Sequence, residues 1–400
     1  DCSPEGYCIC SSSHCSPPFD PPSISELHHG QALLYSTSLS GDRLAKSRLV
    51  VMRRRQKWIN GAPEASSAVK FSIFPSEHRQ TIIGFGGALT DSTVLNINNL
   101  TEHLQRKLME SYFGADGIGY SIVRIPIASC DFATHEYSYD DKEGDFDLRS
   151  FALVPEDALK IKWARRAMEL VEMEGRELKV LASPWSAPSW MKTSGQLIGA
   201  GELKNGSEYS RTWANYLAKF IDLYSAQGVP IWALTVQNQP SVGNWSDIPF
   251  QNMYMSPQME AKFVRDFLKP ALLSSSGGRN VSVVIHDDFR PHLPDWPDIT
   301  LSEPGVEPLV DGIAVHWYLD KDVDPERLSL TKERHPRQFL LGTEACVTDT
   351  KGPRLGNFTR AVLYARDIIQ DLTHSVSGWM DWNLALDLKG GPNWVGNNAD

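Results

Sequence analysis

The sequence predicts an α/β protein built around a (β/α)₈ barrel, and two observations carry the prediction. Eight short apolar runs alternate with longer segments of helical periodicity, which is the arithmetic of that fold. The periodicity is clear in Trp163–Val171 and in Trp213–Leu223. The chain has 400 residues, which suits one large barrel with an appendage or two to three ordinary domains.

The elements follow from the position of each run. The predicted strands are Ile82–Phe85, Tyr120–Ile127, Leu178–Ala182, Ile231–Val236, Val281–Ile285, Gly312–His316, Phe339–Gly342 and Gly378–Trp382. The predicted helices are Thr101–Phe113, Glu156–Glu174, Ser210–Gln227, Pro257–Ser274 and Thr359–Leu372. A β-rich stretch precedes them, and its runs Ala32–Tyr35, Arg48–Met52 and Val69–Ile73 indicate part of a small sheet.

The cysteines are concentrated at the N-terminus, where Cys2, Cys8, Cys10 and Cys15 lie in a short segment rich in Ser and Pro. Such a segment cannot bury a core, so two disulfides are predicted. Of the three connectivities, Cys2–Cys8 with Cys10–Cys15 is favoured, because Cys8 and Cys10 are too close to pair with each other. A zinc knuckle is the alternative, although no histidine pair follows. Cys130 and Cys346 are predicted to be free thiols.

Five N-glycosylation sequons begin at Asn99, Asn205, Asn244, Asn280 and Asn357. Together with a disulfide segment they predict passage through the secretory pathway. The chain begins at Asp1 without an apolar signal segment, so we expect a processed, mature form. No apolar run approaches the ~18 residues of a membrane span.

The charge balance excludes nucleic acid as the main partner, since 39 basic against 49 acidic residues give a net charge of −10. If all 11 histidines were protonated, the net charge would reach +1. The protein is therefore expected to be acidic at neutral pH and nearly neutral in an acidic compartment.

Polar residues stand at the carboxyl ends of the predicted strands, where a core would not place them. They are Asp131, Ser183–Trp185, Asn238–Pro240, His286–Asp288, His316–Tyr318, Thr343–Glu344 and Asp381–Asn383. In a (β/α)₈ barrel these ends share one face, which is where reactive residues lie. Seven consecutive strand ends of this kind predict an active site.

Two of these positions point to acid–base chemistry. Glu344 ends an apolar strand, so its carboxylate is either a nucleophile facing the barrel mouth or half of a buried salt bridge with Arg124. A glutamate between Asn238 and Pro240 would supply a general acid/base opposite Glu344. This chain has Gln239 there, and an amide cannot exchange a proton at working pH.

Two other sites are weighed and set aside. His286, Asp287, Asp288 and His316 could ligate a divalent metal, but adjacent residues of a strand point to opposite sides. We therefore expect neither a metal nor a cofactor. A phosphate cradle at Gly84–Gly87 lacks the following lysine, and a small-residue turn at a crowded barrel strand is predicted instead.

Motifs spread along the chain resemble the lysosomal acid β-glucosidases, or glucosylceramidases, of glycoside hydrolase family 30. They are Phe19–Pro22, Gly84–Asp91, Ala128–Phe132, Ala182–Trp185, Pro249–Gln251, Gly312–Tyr318, Glu344–Cys346, Asp381–Leu386 and Gly390–Val395. The resemblance implies a retaining mechanism with two carboxyl groups about 5–5.5 Å apart. Glu344 matches the nucleophile, and Gln239 stands at the acid/base position.

The resemblance also implies how a glucose would be held. Asn238 would bond the sugar 2-hydroxyl, Asp131 and Trp382 would hold hydroxyls on the far side, and Trp185 would stack on the ring. Further residues would line the site or its mouth, namely His316, Tyr318, Phe250 and Asn397. Arg124 would lie beneath the site and orient the carboxylates.

The implied substrate is glucosylceramide, cleaved to glucose and ceramide in the lysosome lumen. The implied partners are an anionic lipid membrane surface and a saposin-type sphingolipid activator protein. Because of Gln239 we expect weak or absent activity on alkyl glucosides. A catalytically inactive sugar-lipid-binding homologue and a family 30 hydrolase of another β-glycoside are the alternatives.

Three domains are expected from the pattern and the resemblance together. Residues 1–27 form a disulfide-stapled segment, residues 28–76 contribute strands to an associated β-sandwich, and residues 77–400 form the barrel. We expect further C-terminal sequence in the functional polypeptide, because the strands of 28–76 are too few to close a sandwich.

Overall fold

The computed structural model describes residues 10–11, 27–50, 72–245, 247–348 and 353–397. Within them, eight parallel strands close into a barrel, which confirms the predicted (β/α)₈ fold. The strands are β3 (Gly84–Ala88), β4 (Ile122–Ile127), β5 (Lys179–Pro184), β6 (Ala233–Thr235), β7 (Ser282–Phe289), β8 (Gly312–His316), β9 (Phe339–Glu344) and β10 (Val376–Asn383). They run in chain order around the barrel, with β10 pairing with β3.

All eight predicted strands exist, but several continue beyond their last apolar residue. β5 extends to Pro184, β7 to Phe289 and β9 to Glu344. The polar side chains there bond to one another inside the barrel, so the backbone can stay in the sheet past the apolar run.

The helices on the outside are α1 (Asp91–Asn99), α2 (Glu102–Phe113), α3 (Pro155–Glu172), α4 (Ser207–Ala226), α5 (Pro257–Phe263), α6 (Lys269–Ser274), α7 (Asp295–Ser302), α8 (Glu326–Arg334) and α9 (Phe358–Thr373). The prediction missed α1, α7 and α8, which are short and have few apolar residues. The predicted helix Pro257–Ser274 is interrupted by π-helical turns at Val264–Leu268, so it forms α5 and α6.

An apolar layer fills the lower barrel, with one residue from each of seven strands: Ile122, Leu181, Ala233, Val284, Ala314, Leu341 and Met380. Side chains of a strand alternate between its two faces, so the residue two positions further on also points inward. On six of these strands that residue is Arg124, Ser183, Thr235, His316, Thr343 or Trp382, and all six are buried. The alternation thus places a polar layer directly above the apolar one.

Strand β7 departs from this alternation. Its pairing with β8 shifts register between His286 and Asp288, and His286 and Asp287 both have positive φ, at 73° and 48°. This bulge turns Asp287 into the barrel, while His286 bonds the Ala314 carbonyl through Nδ1 at 2.7 Å and packs near Trp296.

Crowding at the start of the barrel explains the glycines of β3. A Cβ on Gly86 would lie 2.0 Å from the carbonyl oxygen of Ile122 on the neighbouring strand. The expected turn at Gly84–Gly87 is therefore wrong, because this segment lies within β3 itself. The expectation of crowding at this place is confirmed.

The predicted small sheet is present as a hairpin of two antiparallel strands, β1 (Gln31–Ser36) and β2 (Ala45–Val50). Of the third predicted run, residues 72–73 form no strand, and residues 69–71 lie outside the described residues. Arg43 lies 5.8 Å from the centre of the Phe358 ring, at the start of α9. A complete sandwich and the three domain boundaries stay predictions.

The N-terminal cysteine segment lies almost wholly outside the described residues. Cys10 is disulfide-bonded, but its partner is not among those residues, so the predicted pairing stays a prediction. Cys130 and Cys346 are free and buried, as predicted. Among the described residues, none of the helices has the length and apolar character needed to cross a bilayer.

Candidate active site

Arg124 is the centre of the polar layer and is fully buried. Its Nε donates to Ser183 Oγ at 3.1 Å, and its Nη2 donates to Asn238 Oδ1 and to Asp287 Oδ2, each at 2.8 Å. Its Nη1 donates to Glu344 Oε2. One guanidinium therefore fixes side chains from the ends of four other strands.

The charges in this layer are strongly coupled. Burial alone would lower the pKa of Arg124, but Asp287 and Glu344 outweigh it and raise that pKa. Burial would likewise raise the pKa of Asp287, whereas Arg124 and His316 hold it below its ordinary value. Thr343 Oγ1 also donates to Asp287 Oδ1 at 2.7 Å. Asp287 is therefore an ionised carboxylate that only accepts hydrogen bonds.

Glu344 lies at the top of β9 and is almost completely buried, with 6% of its surface exposed. It accepts hydrogen bonds from Arg124 and from the Tyr318 hydroxyl, the latter at 2.8 Å to Oε1. The salt bridge with Arg124 therefore exists, yet Glu344 also lines the cavity at the barrel mouth. The two interpretations offered by the sequence are compatible.

Gln239 follows β6 with a strained backbone, at φ 44° and ψ 59° in the left-handed region. Its backbone N–H donates to the Asp287 carbonyl at 2.9 Å, which holds this conformation in place. Its side-chain Nε2 lies 3.0 Å from His316 Nδ1. The strain therefore positions the amide toward the interior of the site.

His316 brings Gln239 and Glu344 together. Its Nδ1 lies 3.0 Å from Gln239 Nε2 and 4.0 Å from Glu344 Oε1, so the two side chains cannot be further apart than the sum of these distances. Carboxyl groups of retaining glycosidases are about 5–5.5 Å apart, and those of inverting enzymes about 6.5–9.5 Å. This limit includes the retaining spacing and also the lower end of the inverting range.

These side chains surround a cavity of about 450 Å³ at the carboxyl ends of the strands. Nine of the sequence-predicted site residues line it, namely Asp131, Trp185, Asn238, Gln239, Phe250, Tyr318, Glu344, Trp382 and Asn397. Arg124 and His316 do not line it, and both are fully buried. His316 Nδ1 lies 3.0 Å from Gln239 Nε2, and Gln239 lines the cavity, so the expected place of His316 in the site stays a prediction.

Aromatic rings form one wall of the cavity. Trp185 and Trp382 stack with ring centres 5.4 Å apart and an interplanar angle of 20°. The Arg124 guanidinium lies 5.0 Å from the Trp185 ring and 5.5 Å from the Trp382 ring. The stack and the cation below it leave both rings little freedom to move.

Asp131 lines the same cavity and accepts a hydrogen bond from Asn397 Nδ2 at 2.8 Å. Burial and, to a smaller extent, the charge of Glu344 raise the pKa of Asp131 to about 7. Below neutral pH this side chain is therefore a neutral carboxylic acid, which can donate as well as accept.

Sequence reasoning missed several residues of the site. Asp287 is among the predicted strand-end residues but is not singled out, because counting by two from Val284 selects His286, and only the bulge brings Asp287 inward. Cys346, Trp245 and Phe289 also line the cavity. The sequence shows only that these three residues lie near strand ends. Residues near strand ends can line a cavity or belong to the core, so this position alone does not identify them.

The metal alternative is not favoured by the geometry of its four residues. Asp287 and His316 are in contact, with Oδ1 and Nε2 3.1 Å apart, but His286 faces away from them. Among the described residues, metal-compatible spacing occurs elsewhere, at Asp320, Asp367 and Asp371. The Arg290 Nη2 already bridges all three carboxylates, with contacts of 2.7 Å to Asp371 and 3.6 Å to Asp367.

Comparison with known proteins gives one consistent family. Residues 82–400 match the glycosyl hydrolase family 30 TIM-barrel domain. The chain is 41% identical to putative glucosylceramidase 4 of Caenorhabditis elegans and 38% identical to the lysosomal acid glucosylceramidase of Mus musculus, in each case over 98% of this chain and 74% of the relative. An endo-1,6-beta-D-glucanase of Neurospora crassa is 30% identical over 85% of this chain and 68% of its own length.

A solved structure agrees with these relatives. The crystal structure of SrfJ from Salmonella typhimurium superposes with a TM-score of 0.81 at 27% identity, covering 93% of this chain and 78% of that one. The match of the family domain spans the whole barrel, and the relatives match nearly the full chain. This chain belongs to glycosyl hydrolase family 30.

Proposed function

We propose that this chain has the site of a retaining β-glucosidase of glucosylceramidase type, with its acid/base glutamate replaced by Gln239. The observation that supports it is that Glu344 and Gln239 line one cavity and both approach the same imidazole nitrogen of His316. An ionised Glu344 is the nucleophile. Its hydrogen bonds from Arg124 and Tyr318 fix its orientation.

In the first step, a Glu344 oxygen forms a bond to the anomeric carbon, and the bond from that carbon to the leaving oxygen breaks. The electron pair stays on the leaving oxygen, which normally takes a proton from the acid residue. Gln239 cannot give that proton, and general acid catalysis is typically worth ~10²–10⁴-fold. An alkoxide such as that of ceramide leaves poorly without it, whereas a nitrophenolate leaves readily.

The other cavity residues are assigned to sugar binding. Asn238 bonds the 2-hydroxyl next to the nucleophile; its Oδ1 accepts from Arg124, so its Nδ2 is the end free to donate. Asp131 and Trp382 hold hydroxyls at the far side, and Trp185 contacts the ring face. Phe250, Tyr318 and Asn397 line the mouth.

The proposed substrate is glucosylceramide, and the proposed setting is the lysosome lumen at an anionic membrane, with a saposin-type activator presenting the lipid. Two relatives named as glucosylceramidases, one of them lysosomal, support this choice. The charge supports it as well, since protonation of the histidines would move the net charge from −10 toward neutrality and reduce repulsion from anionic lipid.

Gln239→Glu tests the assignment of the acid/base position. The variant is expected to gain roughly 10²-fold or more on an alkyl glucoside, with a much smaller gain on nitrophenyl glucoside. Gln239→Met is the matched control, since it has similar size and no proton to give, and it should gain on neither substrate. No gain on the alkyl glucoside for Gln239→Glu would reject the assignment.

A 2-fluoroglucoside with an activated leaving group tests the nucleophile separately, because this step needs no acid. Mass spectrometry of the intact protein should show one glycosyl adduct, and peptide mapping should place it on Glu344. Glu344→Gln should show no adduct. An adduct on another residue would exclude the proposed mechanism.

An inactive sugar-lipid-binding protein is the second candidate, and Gln239 is the observation that favours it. Azide can replace the missing base in the second step by attacking the glycosyl intermediate directly. If azide restores turnover of nitrophenyl glucoside, the chain is an impaired enzyme. Binding without an adduct and without azide rescue would identify a binding protein.

The 30% identity to an endo-1,6-beta-D-glucanase makes another β-glycoside a further possibility for the substrate. Comparing the binding of glucosylceramide, a β-1,6-linked glucan and a β-xyloside to the same preparation would distinguish these three substrate classes.

A further inference from the structure

Gln239 is bonded to a histidine whose neutral tautomer can be deduced from its other partner. His316 Nε2 lies 3.1 Å from Asp287 Oδ1, and His316 Nδ1 lies 3.0 Å from Gln239 Nε2. Both His316 and Asp287 are fully buried, and Gln239 is 8% exposed. The three side chains form a short chain of hydrogen bonds that ends at the cavity.

The direction of this chain follows from Asp287. Arg124 and Thr343 both donate to it, and it is ionised, so it can only accept from His316. His316 Nε2 therefore carries a hydrogen in either protonation state. In neutral His316 the Nδ1 atom is then a lone-pair acceptor, and its partner must be the NH₂ end of the Gln239 amide. No described residue bonds Gln239 Oε1, so the carbonyl end is available to the cavity that Gln239 lines.

Protonation of His316 changes its Nδ1 from a hydrogen-bond acceptor to a donor. The imidazolium then donates from both nitrogens, and Gln239 must offer its carbonyl oxygen to Nδ1. Rotation of the amide by half a turn meets this need within the same volume, since its O and NH₂ ends are nearly the same size. The NH₂ group then faces the cavity.

We propose that the protonation state of His316 decides which end of the Gln239 amide faces the ligand. The position beside the glycosidic atom is a hydrogen-bond acceptor when His316 is neutral and a donor when His316 is charged. This inference rests on the proposed function in taking the ligand to be a β-glucoside. Gln239 becomes a pH-dependent specificity residue and His316 its positioning residue.

Charged and titratable groups reach His316 from every element around it. They are Asp287 and His286 on β7, Glu344 on β9, Arg124 on β4 and Tyr318 after β8. Asp287 and Glu344 are the acidic groups of this set, and Arg124 is its cation. His286 adds no charge between pH about 5 and about 7.5, because burial lowers its pKa to about 3.

Two ligands that differ at the glycosidic atom should report the amide orientation. Octyl β-glucoside offers an oxygen that can only accept a hydrogen bond at this position. An N-octyl aminocyclitol of glucose configuration offers a protonated amine that can only donate. On acidification the affinity of the first should rise relative to that of the second.

Titration calorimetry with both ligands at pH about 5 and about 7.5 measures this effect. The ratio of the two affinities should change about two- to tenfold more in the wild type than in Gln239→Met, as expected for one hydrogen bond. Glu344 and Asp131 are present in both proteins, so the difference isolates the amide. An equal change in the two proteins would overturn the inference.

A readout without ligand separates this inference from the proposed function. If neither ligand binds at either pH, the proposed function fails. Neutron crystallography of the free protein at the two pH values still locates the deuterium atoms on Gln239 and His316. A deuterated amide end toward His316 at the higher pH and toward the cavity at the lower supports the inference. The same orientation at both pH values overturns it.

Discussion

Two fully buried arginines, Arg124 and Arg290, each hold carboxylates inside this molecule, but in different numbers. Arg124 contacts two, Asp287 and Glu344, and lies under the candidate active site. Arg290 follows β7 and contacts three, Asp320, Asp367 and Asp371, which join the loop after β8 to α9. Each cluster thus has one arginine, but the two clusters differ in the number of carboxylates around it.

The pKa directions show what the third carboxylate does. At Arg124 the cation holds the pKa of Asp287 below its ordinary value. At Arg290 burial and mutual repulsion raise the pKa of Asp320 and Asp371, although the cation opposes the shift. Where two carboxylates share the guanidinium, the pKa of Asp287 stays low; where three share it, the pKa values of Asp320 and Asp371 are raised. The first cluster therefore suits a charged nucleophile, and the second suits a proton-dependent contact.

The largest expected effect comes from Arg124→Gln. It leaves Asp287 and Glu344 buried without their cation, and breaking a buried ion pair in this way typically costs about 3–5 kcal/mol. The free energy of unfolding in urea measures it. Arg149→Gln is the matched control, since Arg149 pairs with Asp147 at 2.7 Å in full contact with solvent, and no measurable change is expected. Similar small losses in the free energy of unfolding for both variants would show that the buried ion pairs of Arg124 do not stabilise the fold.

An intermediate effect is expected for Arg290→Gln, and it should depend on pH. The three aspartates at this cluster can take up protons when the cation is removed, so the stability loss should be smaller at pH about 5 than at about 7.5. Thermal unfolding at both pH values measures this. A loss independent of pH would show that the three aspartates bind the same number of protons with and without Arg290.

The smallest expected effect comes from Asp371→Asn. A carboxyl group whose pKa is raised by folding contributes stability below its unfolded pKa of about 3.8, and this contribution is lost as pH rises through the folded pKa. The wild type should therefore lose stability as pH rises from about 4 through neutrality, and Asp371→Asn should lose less. Its thermal midpoint should exceed that of the wild type at pH about 7.5.

Asp222→Asn is the control of opposite sign. Burial opposes the shift there, but hydrogen bonds from Ser275, Ser276 and Gly277 lower the pKa of Asp222. Its contribution is present above pH about 3.8 and lost in acid, so this variant should be less stable than the wild type at neutral pH. If Asp371→Asn and Asp222→Asn shift the thermal midpoint in the same direction at neutral pH, the opposite pKa shifts of the two aspartates do not control their contributions to stability.

Carboxyl groups with raised pKa values also occur outside the Arg290 cluster. Burial also raises the pKa of Asp381 and of Glu260 to about 7. With Asp131 in the site, these groups favour the folded state in acid rather than at neutral pH. This direction agrees with the acidic compartment proposed for the protein.

The sequence by itself determined the eight barrel strands and the polar residues at their ends, because periodicity and composition are local properties of the chain. It also determined that Glu344 and Gln239 stand on strands whose ends share one face. The strand period of two further places Arg124, Ser183 and Thr343 above the apolar layer.

Only the tertiary structure decided which of these residues meet. A bulge in β7 substitutes Asp287 for His286 in the barrel interior, and it depends on the register with β8 rather than on local sequence. Arg290 meets partners that are up to 81 positions away along the chain, as Asp371 is. Ion pairs between distant segments have no local pattern, so the Arg290 cluster and the place of Asp287 beside Arg124 depend on closure of the barrel.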